Sequence, residues 1–396
     1  MKVLILHHHF KTPQTGGAIR SYYLAKALVE NGVQVTVITT HNEKRHIREC
    51  LEGIDIHYLP IPYDNTFGFN TRVISFLKYI TGVIRRRKIY EEVDLCYSIS
   101  TPLTIGLAAI FIKWRNKIPF IFEVGDLWPD APIQMGFIKN TFFKWVLYKL
   151  ENFIYQQATS VVALSPSIQE AIRKKNIHKK VHLIPNMSDT SFYRPEVKDS
   201  SLEKKFQVEG KFVVSYLGAF GIANGLNYFL DCARVSQKAD LPVHFLLCGD
   251  GAMLPSLKQS VNQLQLKNLS FIPFQNRDGI SQVMNVTDAA FICYKSVPIL
   301  ETGSPNKYFD GLAAGKLIFV NFGGWIKNEI EKCQCGIYTN PFHPTDFVKN
   351  ILPFLEDKQK LEQYQNNSHL LAVTKYSRSM LSKQFVEICK SSYKQI

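Results

Sequence analysis

The sequence has no apolar run of the roughly 20 residues that a bilayer-spanning helix needs. Thr101 to Ile112 comes nearest and reads as a buried helix. Nor is there a disulfide framework. The 8 cysteines are scattered, and their one close pair, Cys333 and Cys335, has no second pair at zinc-site spacing. Reduced thiols in a cytoplasmic protein are therefore expected. The chain opens directly on a strand-like run, Lys2 to Leu6 (KVLIL), so no signal peptide is expected. Helix-turn-helix, zinc-finger and RNA-binding signatures are missing, which argues against nucleic acid as a partner. The GxGxxG fingerprint of dinucleotide enzymes is missing too, and no paired-carboxylate motif suggests a divalent metal.

What is present describes a globular chain, with 46% hydrophobic and 20% charged residues. At 396 residues it is too long for one core, so two domains are the default. The net charge of +14 is uneven: residues 1–190 hold 24 Lys/Arg against 15 Asp/Glu, leaving 23 against 18 in the remainder. A basic first half suits an anionic surface or substrate.

Strand-like runs alternate with helical patterns along both halves. In the first half the strands are expected at Lys2–His8, Val33–Thr39, Ile54–Leu59, Leu95–Ser100, Pro119–Val124, Ser160–Ala163 and Val181–Ile184. In the second they are expected at Phe212–Leu217, His244–Cys248, Leu269–Ile272, Ala289–Tyr294 and Lys316–Asn321. The polar stretch Ser188 to Gly210 reads as the linker between them. Such alternation implies α/β architecture, with parallel sheets covered by helices on both faces. The fold class is thus two doubly wound, Rossmann-like domains in tandem, with the site in the cleft between them. The boundaries are read as residues 1–190, 191–374 and a last helix, 375–396, that crosses back to the first domain.

Three turns invite a ligand. Gly16-Gly17 precedes a helix read as Ala18 to Asn31, and glycines let the backbone approach a ligand closely. Gly218 to Gly225 (GAFGIANG) repeats that device in the second half. The stretch Glu301 to Lys316 (ETGSPNKYFDGLAAGK) lies between two strands, with Pro305 suited to a first helical turn and Gly315 to a stop. A loop feeding a helix N-terminus is an anion site. Asn306 and Lys307 fall in that first turn, and Asp310 lies one turn on, where a carboxylate can accept from vicinal hydroxyls. A nucleotide diphosphate would be held in this way. The plainer reading is an amphipathic helix with a solvated Lys and Asp.

These motifs, with IPNMSD (Ile184–Asp189) and the CGDG turn (Cys248–Gly251), resemble retaining GT-B glycosyltransferases of family 4 over nearly the whole chain. FEVGDLWPDAP (Phe122–Pro132) and GAFGIANG look most like bacterial O-antigen and capsule members, the acetylfucosamine-transferase-like ones. The resemblance implies an acceptor-binding first domain and a second domain for a nucleotide-sugar donor, UDP by default. It implies a lipid-linked or glycan acceptor, no metal and no further cofactor. On the family's pattern Asp310 holds the position of the second of two glutamates and would bind the ribose hydroxyls. The first glutamate's position falls on Thr302, with Glu301 beside it and Ser304 just after. Many members place Arg and Lys in the first glycine loop of the second domain, where this chain has Ala219 and Asn224. Diphosphate charge would then fall to backbone amides at Gly218 and beyond, to Lys307 and to Lys295. In the first domain the family's His-Asp pair is Gly125-Asp126 here. Asp126 and Glu301 are the candidates for contact with the reacting groups. Glu123 and Asp130 are neighbouring carboxylates that could also accept a proton.

A nucleotide-sugar epimerase would need a carboxylate set suited to elimination, and none can be placed. A degenerate, non-catalytic binding subunit fits the displaced glutamate and the missing Arg/Lys pair. His7-His8-His9 suggests a metal cluster, but on a strand alternate residues face opposite sides; contact of one histidine with ligand near Gly16-Gly17 fits better. Two stretches look like interfacial helices. One is Val73 to Lys88, ending in Arg85-Arg86-Arg87-Lys88. The other is Thr141 to Tyr155, with Phe142, Phe143 and Trp145 among lysines. An anionic membrane surface is their expected partner; a core face with solvated charges is the alternative.

Overall fold

The β-branched runs of the first half line up as eight strands in the computed structural model, which describes residues 1–17, 19–64, 67–177 and 180–393. They are β1 (Lys2–Leu6), β2 (Gln34–His41), β3 (Ile47–Leu51), β4 (Ile54–Pro60), β5 (Leu95–Ile99), β6 (Phe120–Val124), β7 (Ser160–Ala163) and β8 (Val181–Leu183). The sheet order is β3-β4-β2-β1-β5-β6-β7-β8, parallel throughout except for the β3–β4 hairpin. β5, β6 and β7 are buried along their whole length, as strands covered on both faces must be. The unit comprises Met1–Pro185 with Thr302–Ser304 and Ser379–Ile396.

Crossover handedness sets which helix covers which face. The steps β4→β5→β6→β7→β8 all run one way across the sheet. They therefore place helices Phe69–Ile84, Ile105–Asn116, Thr141–Gln157 and Pro166–Lys174 on one face. The reverse step β1→β2 puts helix Arg20–Glu30 on the other. The last helix, Arg378–Tyr393, reaches this unit too: Phe385 packs edge-on against Tyr97 of β5, and Ser392 meets Ser160 of β7 at 3.4 Å. The expected residues Ala18 and 394–396 lie outside the described residues.

The second half forms β9 (Phe212–Leu217), β10 (Val243–Cys248), β11 (Leu269–Ile272), β12 (Ala289–Ile292), β13 (Leu317–Val320) and β14 (Gly336–Tyr338). Their order is β11-β10-β9-β12-β13-β14, all parallel. Phe229, Phe245, Phe291, Phe319 and Phe347 fill its core in edge-to-face and stacked pairs. The stretch expected as a linker is built into this unit. It carries helix Ser200–Phe206, Ser188 N–H donates to Tyr376 O at 2.8 Å, and Lys198 pairs with Asp288 at 2.5 Å.

Candidate functional site

In the second unit the site is assembled at the carboxyl ends of β9, β10 and β12. β9 runs into Gly218 and β10 into Gly249, both with positive φ (140° and 148°). The two turns touch backbone to backbone. A Cβ on Gly249 would stand 1.9 Å from Gly218 O, and one on Gly251 2.7 Å from Phe220 O. Phe220 N–H donates to Asp250 O at 2.8 Å. Only glycine fits this contact, which leaves the loop free to carry bare backbone toward a ligand. The loop ends at Gly225, where a Cβ would meet Lys295 N at 2.7 Å. Lys295 N–H donates to Ala223 O, so its backbone closes the loop while its side chain is exposed.

The helix Asn306–Ala313 starts beside this loop. Pro305 caps it in extended conformation and Gly315 follows its end at φ 60°. Asn306 is exposed in the first turn. Lys307 reaches back over β9: its Nζ donates to Tyr216 Oη at 2.8 Å and stands 4.2 Å from that ring's centre. Tyr216 Oη in turn donates to Ala219 O at 2.8 Å. The lysine passes close over Gly218, where a Cβ would lie 3.3 Å from Lys307 Cε. Lys307 keeps part of its surface open, yet burial lowers its ammonium to about 8, with Cys293 pulling the other way.

Asp310, three residues on, lines the same pocket as Lys307, together with Ser215, Leu217, Met284 and Ala290. Burial raises its carboxyl to about 7; Arg277 pulls it down and Asp189 pushes it up. Arg277 is itself held. It pairs with Asp189 and its guanidinium lies 3.7 Å from the Phe192 ring centre. Glu301 ends elsewhere. Its carboxylate sits against the start of helix Gly324–Lys332, where a Cβ on Gly323 would be 3.0 Å from Oε2. A carboxylate there complements the helix dipole. Thr302 closes the turn Pro298–Thr302, and Ser304 directly precedes Pro305.

In the first unit Gly16 and Gly17 take φ of 67° and 87°. They feed helix Arg20–Glu30, whose first residue is buried in an ion pair. Arg20 Nη2 donates to Glu123 at 3.0 Å and to Ile184 O at 2.9 Å, and Tyr97 Oη donates to the same carboxylate. Glu123 is therefore committed to structure. Asp130 accepts from Tyr148 Oη at 2.6 Å. Asp126 is exposed to solvent, with enough protein around it that desolvation raises its carboxyl above the ordinary value. Of the three acids near β6, it is the one with its charge on the open surface.

The histidine row does not alternate, because β1 stops at Leu6. His7 Nδ1 lies 2.8 Å from Ser21 Oγ, while His8 and His9 have ring centres 4.3 Å apart. His8 is buried among Tyr63, Phe76 and Tyr79. Burial pushes the three rings down to about 3, 3 and 4, so all are neutral at physiological pH. Among the described residues no group of three His, Cys, Asp or Glu side chains could hold a metal ion. Tyr216 and Arg277 are the residues that sequence reasoning missed. A tyrosine inside the buried strand FVVSYL was the available signal for the first.

Residues 15–192 match the family model Glycosyltransferase Family 4, and residues 197–370 match Glycosyl transferases group 1. An alpha-D-kanosaminyltransferase of Streptomyces kanamyceticus is 20% identical over 62% of this chain and 62% of its own length. TuaH of Bacillus subtilis (strain 168), named for teichuronic acid biosynthesis, is 26% identical over 58% of this chain and 56% of its own. The chain thus spans about three-fifths of the length of the curated relatives it matches. The structure of Anabaena HepE in complex with UDP and glucose superposes with a TM-score of 0.73 at 19% identity, covering 99% of this chain and 100% of that one. That likeness shows a shared fold, two Rossmann-like domains of the GT-B type. The two family models follow one another along almost all of the sequence, and the chain belongs to the GT-B glycosyltransferases of the family-4 type.

Proposed function

We propose that this chain is a retaining, metal-independent glycosyltransferase. It moves a sugar from a nucleotide diphosphate donor, UDP-linked by preference, to a lipid-linked or glycan acceptor in surface-polysaccharide assembly. An N-acetylated 6-deoxy sugar is the donor sugar that fits the O-antigen-like motifs. The observation that carries the reading is that Lys307 and Asp310, on one helix, line one pocket beside a backbone-only glycine loop. UDP in the complex of the structural neighbour HepE and the polysaccharide role in the name of TuaH support it.

In this mechanism the glycine loop and Lys307 take the diphosphate, and Asp310 accepts from the ribose hydroxyls. Lys295 lies at the loop's edge. As the bond from the anomeric carbon to the phosphate oxygen breaks, charge grows on that oxygen, where Lys307 and the loop amides are already in place. The acceptor hydroxyl attacks the same face, and its proton passes to the leaving phosphate. Asp126 positions the acceptor, while Glu301 orders the turn that carries the donor contacts. The protein works in the cytoplasm at the inner face of the membrane.

The test is a thermal-shift panel of UDP, GDP, ADP, CMP and dTDP, with and without EDTA, on wild type and Asp310→Ala. A ligand at about 100 times its Kd stabilises by about 2.7 kcal/mol. One nucleotide diphosphate is expected to raise the wild-type midpoint equally with EDTA, and Asp310→Ala to lose the shift. No shift from any nucleotide would favour a non-catalytic binding subunit, a reading to which the Glu301 carboxylate turned against a helix start lends weight.

A further inference from the structure

We propose that Arg277 is the positioning residue of ribose recognition. Clamped between Asp189 and the Phe192 ring, it fixes a positive charge at the wall of the pocket that Asp310 lines, and Asp310 thereby selects ribonucleoside over 2′-deoxyribonucleoside diphosphates. The inference deepens the proposed function and rests on its reading of Asp310 as the acceptor for the ribose hydroxyls. Arg277 acts through Asp310.

Asn276 caps helix Arg277–Val286, its side chain accepting from Gly279 N–H at 2.9 Å, so Arg277 opens the first turn. Arg277, Ile280 and Met284 stand at i, i+3 and i+7, which is one face of a helix. Ile280 and Met284 line the pocket with Asp310 and Lys307. Arg277 therefore heads the face that walls this pocket. Its side chain is held from two sides. Asp189 pairs with it, and the Phe192 ring centre lies 3.7 Å from the guanidinium carbon. Asp189 is itself fixed. It is buried, and its carboxylate accepts from Ser191 Oγ at 2.6 Å and from Arg378. Its carbonyl accepts from Phe192 N–H at 3.1 Å and Tyr193 N–H at 2.9 Å, closing the turn that carries the Phe192 ring. A planar guanidinium that is both stacked and paired is preorganised.

A carboxylate can accept from both vicinal hydroxyls, whereas a protonated carboxyl spends one oxygen as a donor. A buried acid tends to keep its proton, so this role needs a cation close by. The charged and titratable groups around Asp310 come from its own helix, from helix Arg277–Val286 and from the Asp189 turn. Lys307, on the same helix, gives its ammonium to Tyr216 Oη. Tyr193 stays neutral, because burial first and Asp310 next push its phenol up. Burial has the largest effect on the Asp310 carboxyl and raises it; Arg277 pulls it down, and Asp189 pushes it up. Arg277 is thus the cation that opposes burial at this acid. Arg378 shares Asp189 with it, but the charges that bear on Asp310 are those of Arg277 and Asp189. A 2′-deoxyribose leaves the carboxylate half used, so discrimination against it is greatest when Asp310 is ionised.

The experiment is calorimetric titration of the full chain with UDP and with 2′-deoxy-UDP, between about pH 6 and about pH 9. The two ligands carry the same base and diphosphate, so the ratio of their affinities isolates one hydroxyl. Wild type is expected to favour UDP by roughly 10- to 150-fold at about pH 8, with the ratio fading as Asp310 regains its proton below about 7. Arg277→Met should move the rise of that ratio up by about one pH unit or more. Arg277→Lys keeps the charge and should stand closer to wild type than to Arg277→Met. Arg378→Met removes another partner of Asp189 and should keep the wild-type ratio and pH profile. Should Arg277→Met fail to fold by circular dichroism, Arg277→Gln, which still donates to Asp189, takes its place. The proposal is overturned if the neutral variant keeps the wild-type profile, if it and Arg378→Met behave alike, or if it and Arg277→Lys behave alike. Asp310→Asn separates the two levels of the reading. If it abolishes the preference for UDP and the neutral Arg277 variant does not, this proposal alone fails. If the preference survives Asp310→Asn, or wild type binds neither ligand, the ribose assignment falls and this proposal with it.

Discussion

Asp310→Asn is expected to stabilise the ligand-free protein while abolishing its stabilisation by nucleotide. The reasoning starts from the carboxyl's rise from 3.8 to about 7, caused first by burial. In the unfolded chain this acid loses its proton near 3.8; in the folded protein it holds it to about 7. Between those values the folded state binds the extra proton, so stability falls as pH rises through that window. Above about 7 the whole cost is present. At 1.36 kcal/mol per decade the ceiling is about 4 kcal/mol, and partial exposure of Asp310 halves it to about 2. Asparagine has nothing to ionise and escapes this cost at every pH. For a unit of this size the gain is roughly 4–8 °C in Tm at about pH 8, and about half that at about pH 5.5.

The same substitution removes the anionic acceptor for two vicinal hydroxyls, and hydrogen bonds to a charged group contribute about 1.5–3 kcal/mol. Differential scanning fluorimetry at both pH values, with and without a nucleotide diphosphate, reads both effects from one sample set. A variant that melts below wild type at the higher pH would refute the burial argument. So would a gain that does not grow with pH. A nucleotide shift equal to that of wild type would refute the ribose assignment.

Lys307→Met should weaken nucleotide diphosphate binding by roughly 10- to 150-fold by calorimetry, the loss of one charge-assisted contact, and should flatten the wild-type fall in affinity above about pH 8. Tyr216→Phe removes the hydroxyl that accepts from Lys307, so the ammonium is less favoured; binding should weaken several-fold and begin its alkaline decline earlier than in wild type. Arg20→Met or Glu123→Gln leaves a buried charge unpaired and should lower unfolding stability by about 3–5 kcal/mol in urea, with nucleotide binding by the second unit unchanged.

The strands could be read because parallel strands buried on both faces must be apolar along their whole length. All twelve runs named from the sequence form strands, with ends shifted by no more than two residues. β3 escaped because its residues, IRECL, are mostly exposed and carry charges, as an edge strand requires. β14 escaped because three residues are too few to show a period. The helix carrying Lys307 and Asp310 could be read from Pro305 and Gly315, since both marks are local. The partners that set the chemistry are not local. Lys307 meets Tyr216 across 91 residues and Arg20 meets Glu123 across 103, so no spacing rule reveals them. Pattern therefore recovers which groups line the site, and only packing reveals how their charges are tuned.

That tuning bears on how an anion enters a site with so few cations. The glycine loop has no Arg or Lys of its own, and Lys295 points its side chain to solvent. Lys307 is the cation among the residues lining the pocket, and a permanently ionised Asp310 in the same lining would oppose an entering anion. With the acid near 7 and the lysine near 8, the two change charge in almost the same range, and around neutral pH a large fraction of Asp310 is still protonated. An approaching diphosphate then meets a smaller opposing charge than an ordinary carboxylate would present, and its own charge favours protonated Lys307. Affinity for free inorganic diphosphate, which has no ribose, should therefore rise steadily as pH falls from about 8 to about 6, because neutral Asp310 costs it nothing. A nucleotide diphosphate needs the carboxylate as acceptor and should instead bind best between about pH 7 and pH 8. Competition titrations of the two ligands across that range test the division of labour. Parallel pH profiles would show that Asp310 does not meet the ribose.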